Sequence, residues 1–387
     1  MVAAGWEPVK AAFERNLTEG EDVGAGVGIY HRGRCVVDLT GGAFDTGGDR
    51  PYDDSTLQLV FSTTKGIAAI AVAMCAERGL IDYPERVSAY WPEFAAHGKG
   101  DVTVAQLLSH QAGLISVNGE ISLAEALDLP TITARLADTT PYWALGEGHG
   151  YHALTYGWLA GELVRWVDPT GRTLGRFVAD EIVAPVGDAE LWIGLPEELE
   201  PRVAPILGAP LADDTLDPAV KAMLEQFMGP DTLAGKALSL NGAFSANGTF
   251  NRRDVHAAEI PAANAITNAR SLARIYAATI GEIDGVRLIG PETMERARVV
   301  VTPFGELDKC LYMGTTFGMG FMTYGMFTPF AGPGSFGHPG AGGSVAFARP
   351  ESDLAFGYVM NKMASNLAND PRSAQLIAAT NLVIESL

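Results

Sequence analysis

The chain has 387 residues, 47% apolar and 19% charged, with a formal net charge of −19. That composition excludes a disordered or fibrous chain, and the length exceeds what one core usually holds, so two lobes of one molecule are expected. The negative surface repels phosphate backbones and excludes nucleic acid as a natural partner.

The cysteines Cys35, Cys75 and Cys310 are far apart and odd in number, which reads as reduced, buried thiols. Met1 to Lys10 shows no basic cluster leading into an apolar run. No charge-free apolar run reaches membrane-spanning length. A cytoplasmic protein with no membrane partner is the expectation.

Residues 24–39 (GAGVGIYHRGRCVVDL) predict two strands joined at His31-Arg32-Gly33-Arg34. Pro51 to Val60 reads as a loop feeding a short extended run. Residues 62–79 (STTKGIAAIAVAMCAERG) predict a helix with a polar first turn, an apolar body and a stop at Gly79. A helix apolar all round belongs at the centre of a protein. Residues 101–114 predict a short helix capped by Asp101 or Thr103 and ending near Gly113. Residues 121–138 and 151–167 predict further helices.

Residues 205–265, rich in Ala, Gly, Asn and Pro, read as a long irregular excursion. Asn268 to Ile280 predicts a helix. From 311 the text turns strand-like (LYMGTTFGMGFMTYGM, SVAFARP, DLAFGYVMN), and 366–386 predicts a closing helix. Strands at both ends with helices between predict an α/β lobe built from 1–66 and 191–387. A mostly helical lobe is inserted at 67–190, with a site where the two meet.

Ser62 and Lys65 stand three apart at the start of the central helix, so both side chains share one face. The helix start offers free N–H groups and a positive dipole end. A serine there is placed to act as a nucleophile, its own N–H serving the oxyanion. Desolvation in a dry cleft lowers a lysine toward neutrality, and the neutral amine takes the hydroxyl proton. The alternative is a capping serine followed by a snorkelling lysine. A structural lysine does not normally sit at a buried helix start, however, and of the seven lysines only Lys65 has serine three residues before it. No serine lies in a G-x-S-x-G elbow and no H-E-x-x-H occurs. His149 and His152 (HGYH) lack a nearby acidic residue, which favours a structural or substrate-lining role over zinc.

Four stretches, in order, resemble the serine beta-lactamase and penicillin-binding superfamily. Within it the chain looks most like the family VIII carboxylesterases, relatives of class C beta-lactamases. FSTTKG at 61–66 resembles the S-x-x-K motif, QLLSHQAGL at 106–114 the LLSH-x-x-GL segment, GYHALTYGWLAGEL at 150–163 the tyrosine motif, and FGHPGAGGS at 336–344 the third motif. The resemblance covers nearly the whole chain. It implies an α/β (α+β) fold of the beta-lactamase/transpeptidase type: an antiparallel sheet flanked by helices, plus the inserted helical lobe.

The same resemblance implies Ser62 as nucleophile, Lys65 as base and Tyr151 as proton shuttle, its phenol held closer to phenolate by the ammonium. Tyr156 competes for that role. Tyr151 is preferred because Gly157 then falls where the motif has its glycine. The third motif is expected on an edge strand facing the nucleophile. There Gly340 lets the backbone approach substrate, and the Ala341 N–H joins the Ser62 N–H as oxyanion donor. By composition HPGAGGS fits a plain glycine-rich turn equally well.

Two departures from the motifs matter. Penicillin-recognising relatives have asparagine where this chain has Ala153, and lysine where it has His338. A mostly neutral histidine replaces the carboxylate-binding lysine, which points to neutral esters. His338 is expected to touch substrate, His152 to line the leaving-group side, Trp143 to cap the cleft, and His110 to be structural, partly positive at a helix end. Residues 311–330 are expected to supply part of the acyl pocket. Asn361 and Lys362 read as peripheral. The implied activity is hydrolysis of a small-molecule, short-chain ester through an acyl-enzyme, with no metal and no organic cofactor. Acyl transfer, amide or beta-lactam hydrolysis, and a covalent sensor or inactive penicillin-binding-like module are the alternatives. Homo-oligomerisation is left open.

Overall fold

The computed structural model describes residues 1–19, 21–208, 225–364 and 369–387. Among these, ten strands form two sheets: β1 (Gly24–His31), β2 (Arg34–Gly42), β3 (Leu57–Leu59), β4 (Leu191–Trp192), β5 (Val203–Ala204), β6 (Ile266–Thr267), β7 (Met322–Thr323), β8 (Phe336–Pro339), β9 (Val345–Arg349) and β10 (Leu354–Met360). The larger sheet has the order β2-β1-β10-β9-β8-β7, antiparallel throughout. The two ends of the chain meet in it, where β1 pairs with β10. The smaller sheet, β4-β6-β3-β5, carries one parallel pair, β3 with β5.

Successive side chains of a strand point to opposite faces. On β10, Leu354, Phe356, Tyr358 and Met360 join Val9, Phe13, Leu376 and Val383 of the terminal helices Glu7–Thr18 and Pro371–Ser386. Ala355 and Val359 face the other way, into a core with Leu272 and Ile275 of the helix Ala269–Ile280. Both faces are therefore covered, and the strand is buried along its whole length. The helix Thr64–Glu77 is buried from Thr64 to Ala76 and shares that second core with Leu159 and Leu163.

Several elements differ from the sequence expectation. Phe61–Thr63 forms a separate 3₁₀ turn, so Ser62 precedes the α-helix rather than opening it. The 101–114 helix contracts to Val104–Leu108, started by a capping box between Thr103 and Gln106. His110, at φ 65°, then turns the chain out of helical geometry. Segment 121–138 splits into Leu123–Leu127 and Leu129–Ala137, because Asp128 is extended and caps the second helix ahead of Pro130.

The helix expected from 151 begins at Thr155, which leaves Tyr151 on the segment before it. Between 311 and 326 only Met322–Thr323 is strand; Tyr312 and Gly320 take positive φ there, which a regular strand does not accommodate. Asn361, expected to be peripheral, is fully buried; it accepts from Gly24 N–H and donates to the Ala43 and Phe44 carbonyls. Residues 209–224 of the 205–265 excursion, and 365–368 ahead of the closing helix, lie outside the described residues. No helix among the described residues is long and apolar enough to cross a membrane.

Candidate active site

The turn carrying Ser62 is fastened on two sides. Val60 N–H donates to Ala265 O at 3.0 Å, and Ala265 N–H donates to Thr64 Oγ1 at 2.9 Å. From the third motif, Ser344 Oγ donates to Val60 O at 2.8 Å. Lys65 is fully buried. Its Nζ lies 3.0 Å from Ser62 Oγ, 2.7 Å from Ala153 O and 3.0 Å from Ala262 O.

A neutral amine has two N–H donors and one lone pair. The two carbonyls accept the donors, and the lone pair is left for the Ser62 hydroxyl. An ammonium would fit the same three partners; burial lowers Lys65 well below the usual lysine range and so favours the neutral form. Gly157 makes this geometry possible: a Cβ there would stand 2.3 Å from Ala262 N. Only glycine lets the helix Thr155–Val167 close on the segment whose carbonyl holds Lys65.

Tyr151 is buried, with Lys65 Nζ 4.8 Å from its ring centroid and its hydroxyl within hydrogen-bonding reach of Ser62. Burial pushes its phenol above the usual range, against the opposing pull of Ser62. The expected phenolate character is thus corrected: with Lys65 neutral there is no ammonium to draw the proton off. Tyr156 instead lies within the helix with its hydroxyl against Gly320.

The third motif does not sit on a sheet edge, since β8 runs between β9 and β7. However, β7 pairs only with Phe336 and Gly337, so His338 and Pro339 keep an open side. Two cavities adjoin Ser62. A narrow one of about 50 Å³ is lined by Tyr151, His338 and apolar side chains, and a wide one of about 460 Å³ by Phe61, Leu154, Phe244 and Phe250 among others. Ser62, Ala341 and Leu238 line both.

The Beta-lactamase family model matches residues 9–380. The chain belongs to the beta-lactamase family. It is 36% identical to Esterase/beta-lactamase LipL of Mycobacterium tuberculosis over 89% of this chain and 78% of that protein. It is similar to a solved family VIII carboxylesterase at 35% identity and TM-score 0.86, covering 99% of this chain and 98% of the other. It is also similar to EstA from Arthrobacter nitroguajacolicus Rue61a at 35% identity and TM-score 0.88, covering 100% and 98%. The beta-lactamase/transpeptidase-like fold, with its antiparallel sheet flanked by helices, is the fold observed.

In this beta-lactamase-family site the remaining expected residues divide. His338 is buried and lines the narrow cavity, with Nδ1–H donating to Pro339 O at 2.6 Å and the ring stacked on Tyr151. Burial holds it well below the usual histidine range, so it is neutral. Gly340 faces the nucleophile turn rather than substrate: a Cβ would meet Ser344 Oγ at 2.2 Å and Val60 O at 2.3 Å.

His152 does not line the cleft. Its Nδ1–H donates to Gly150 O and its Nε2 accepts from Leu114 N–H, and burial pushes its pKa down to about 4. Trp143 does not cap the cleft either; it packs against His152 and Gly150 behind the tyrosine segment. His110 is structural but uncharged, being fully buried with Nδ1 accepting from His152 N–H.

One residue escaped the sequence reading. Asp308 is fully buried, and its Oδ1 accepts from the backbone N–H groups of Tyr151, Cys310 and Leu311 at 3.0, 2.8 and 2.9 Å. Its Oδ2 accepts from Thr315 Oγ1 at 3.0 Å, and His149 Nε2 shares that threonine. The only signal in the sequence is an acid, two residues after Glu306, at the head of an apolar run.

Proposed function

We propose that this protein hydrolyses neutral carboxylic esters through an acyl-enzyme formed on Ser62, with its site between the lobes 1–66 with 191–387 and 67–190. Its relation to LipL, EstA and a family VIII carboxylesterase supports a carboxylesterase-type hydrolase. The observation that carries the mechanism is Lys65 Nζ, 3.0 Å from Ser62 Oγ, with its two other contacts spent on backbone carbonyls.

Ser62 Oγ attacks the ester carbonyl as its proton passes to the Lys65 amine. The oxyanion is held by the Ser62 and Ala341 N–H groups. The intermediate collapses as the proton travels from Lys65 through the Tyr151 phenol to the leaving alkoxide, which departs as the alcohol. Water then attacks the acyl-enzyme along the same proton route and releases the acid. Among the described residues, none lining either cavity is Asp, Glu, Lys or Arg, which favours uncharged substrates over the carboxylate-bearing beta-lactams.

The test is hydrolysis of vinyl butyrate followed by acid release. Ser62→Ala is expected to remove the activity with the circular dichroism spectrum unchanged, and wild type is expected to leave nitrocefin intact. Near-normal turnover by Ser62→Ala overturns the assignment. A persistent adduct on Ser62 without turnover would make the protein a covalent sensor.

A further inference from the structure

The two cavities at Ser62 are unequal in size and in chemistry, and this fixes which way round an ester lies. When the tetrahedral intermediate collapses, the leaving oxygen must face a proton donor. Tyr151, in contact with Ser62, lines the narrow cavity and does not line the wide one. The alcohol half of the ester therefore points into the narrow cavity and the acyl half into the wide one.

The narrow cavity, about 50 Å³, is walled by Leu311, Met322, Phe327 and His338. At about 10–15 Å³ for each water-sized group it takes roughly three to five such groups, the size of an alcohol of up to about four carbons. The wide cavity, about 460 Å³, is faced with aromatic surface: Phe250 meets Phe61 edge-on with centroids 5.0 Å apart and stacks on Phe244 at 5.6 Å.

We propose that the substrates are esters of a small alcohol with a bulky, aryl-bearing acyl group, and that Phe327 sets the limit on the alcohol. This reverses the short-chain acyl preference expected from the sequence and rests on the ester-hydrolase reading above. Phe327 and Pro339 separate the narrow cavity from a third, about 220 Å³, which lies between the third motif and the closing helix and is lined by Phe330, Val345 and Ile377. Removing the Phe327 ring joins the two spaces.

The experiment compares two isomers, ethyl 3-phenylpropanoate and 3-phenylpropyl acetate, which carry the same atoms with the ester reversed. Wild type is expected to favour the first in kcat/KM by at least about tenfold, the scale on which pockets discriminate apolar groups. Phe327→Ala is expected to raise kcat/KM for 3-phenylpropyl acetate at least about fivefold, with a smaller change for its isomer. Phe327→Leu should move in the same direction and serves if the alanine variant fails to fold. Equal rates on the two isomers, a preference for the acetate, or unchanged selectivity in the folded variants overturns the proposal while leaving the esterase reading in place. Failure to hydrolyse these esters and vinyl butyrate alike overturns the esterase reading itself.

Discussion

Replacing Asp308 tests whether a buried carboxylate holds Tyr151 in place. Three backbone N–H groups end on its Oδ1, those of Tyr151, Cys310 and Leu311. Asp308→Ala strips all three of an acceptor. A buried donor left unsatisfied costs about 1–3 kcal/mol, so the sum is roughly 3–9 kcal/mol. Water admitted to the space left by the carboxylate recovers part of it, and we expect a net loss of about 4 kcal/mol. That is a large share of a total stability of about 5–15 kcal/mol. Asp308→Asn keeps one acceptor oxygen and should lose about half as much, roughly 2 kcal/mol. The assay is urea unfolding followed by tryptophan fluorescence, with kcat and KM on vinyl butyrate measured on the folded variants. Because the carboxylate acts on the backbone of Tyr151, kcat should fall more than KM rises. An alanine variant that loses less than about 1 kcal/mol and keeps kcat within about twofold of wild type refutes the reasoning.

Lys65→Met should lower ester hydrolysis by about 10²–10⁴-fold with the fold intact, since the amine is the proposed general base; activity within about tenfold of wild type contradicts the assignment. Only the neutral amine accepts the proton, so wild-type kcat/KM should rise with pH through the folded pKa of Lys65, which burial sets well below the usual lysine value. A rate that falls across that limb contradicts it. Asp22 offers a separate test of stability: burial, opposed by Arg372, raises its pKa from 3.8 to about 6. Between those values the folded protein holds a proton that the unfolded chain releases. The stabilisation is thus complete below about pH 4 and lost as pH rises through about 6. A shift of about 2 units corresponds to about 3 kcal/mol. Relative to Asp22→Asn, wild type should lose about that much between pH 4 and 7 in urea unfolding, and a pH-independent difference refutes the linkage.

What the sequence showed depended on how local each feature is. Ser62 and Lys65 are neighbours on one turn, so their meeting follows from spacing, and Gly79 marks the end of their helix by its own φ of 69°. Tyr151 is 86 residues past Lys65 in the chain and could be placed only through motif order and the position of Gly157. The groups that take up the N–H donors of Lys65 were out of reach. They are the carbonyls of Ala153 and Ala262, and backbone atoms carry no residue signature. Asp308 was missed for the converse reason: an acid in sequence reads as surface, and only the fold delivers four donors to it. The strand reading of 311–326 failed outside Met322–Thr323 because apolar density was counted while Gly320, at φ 93°, was not. The closing of Gly340 onto Val60 shows the same limit, since a glycine admits close approach without naming what approaches.

The neutrality of the site comes from burial rather than from residue type. Lys65, His110, His149, His152 and His338 stand in or behind the cleft, and desolvation lowers the pKa of each. Five basic side chains thus contribute little positive charge at neutral pH, in a chain whose formal net charge is −19. A carboxylate approaching Ser62 would meet long-range repulsion first. It would then lose its water to two cavities whose lining among the described residues includes no lysine or arginine, a cost of several kcal/mol for an unpaired ion. A neutral ester bears neither penalty and gains contact with Phe61, Phe244 and Phe250. On the proposed reading the site selects on charge at binding, before any bond is broken. The Ser62–Lys65 pair itself does not distinguish an ester from a beta-lactam; in the proposed mechanism the desolvated surroundings that would make Lys65 a base would also disfavour an anionic substrate.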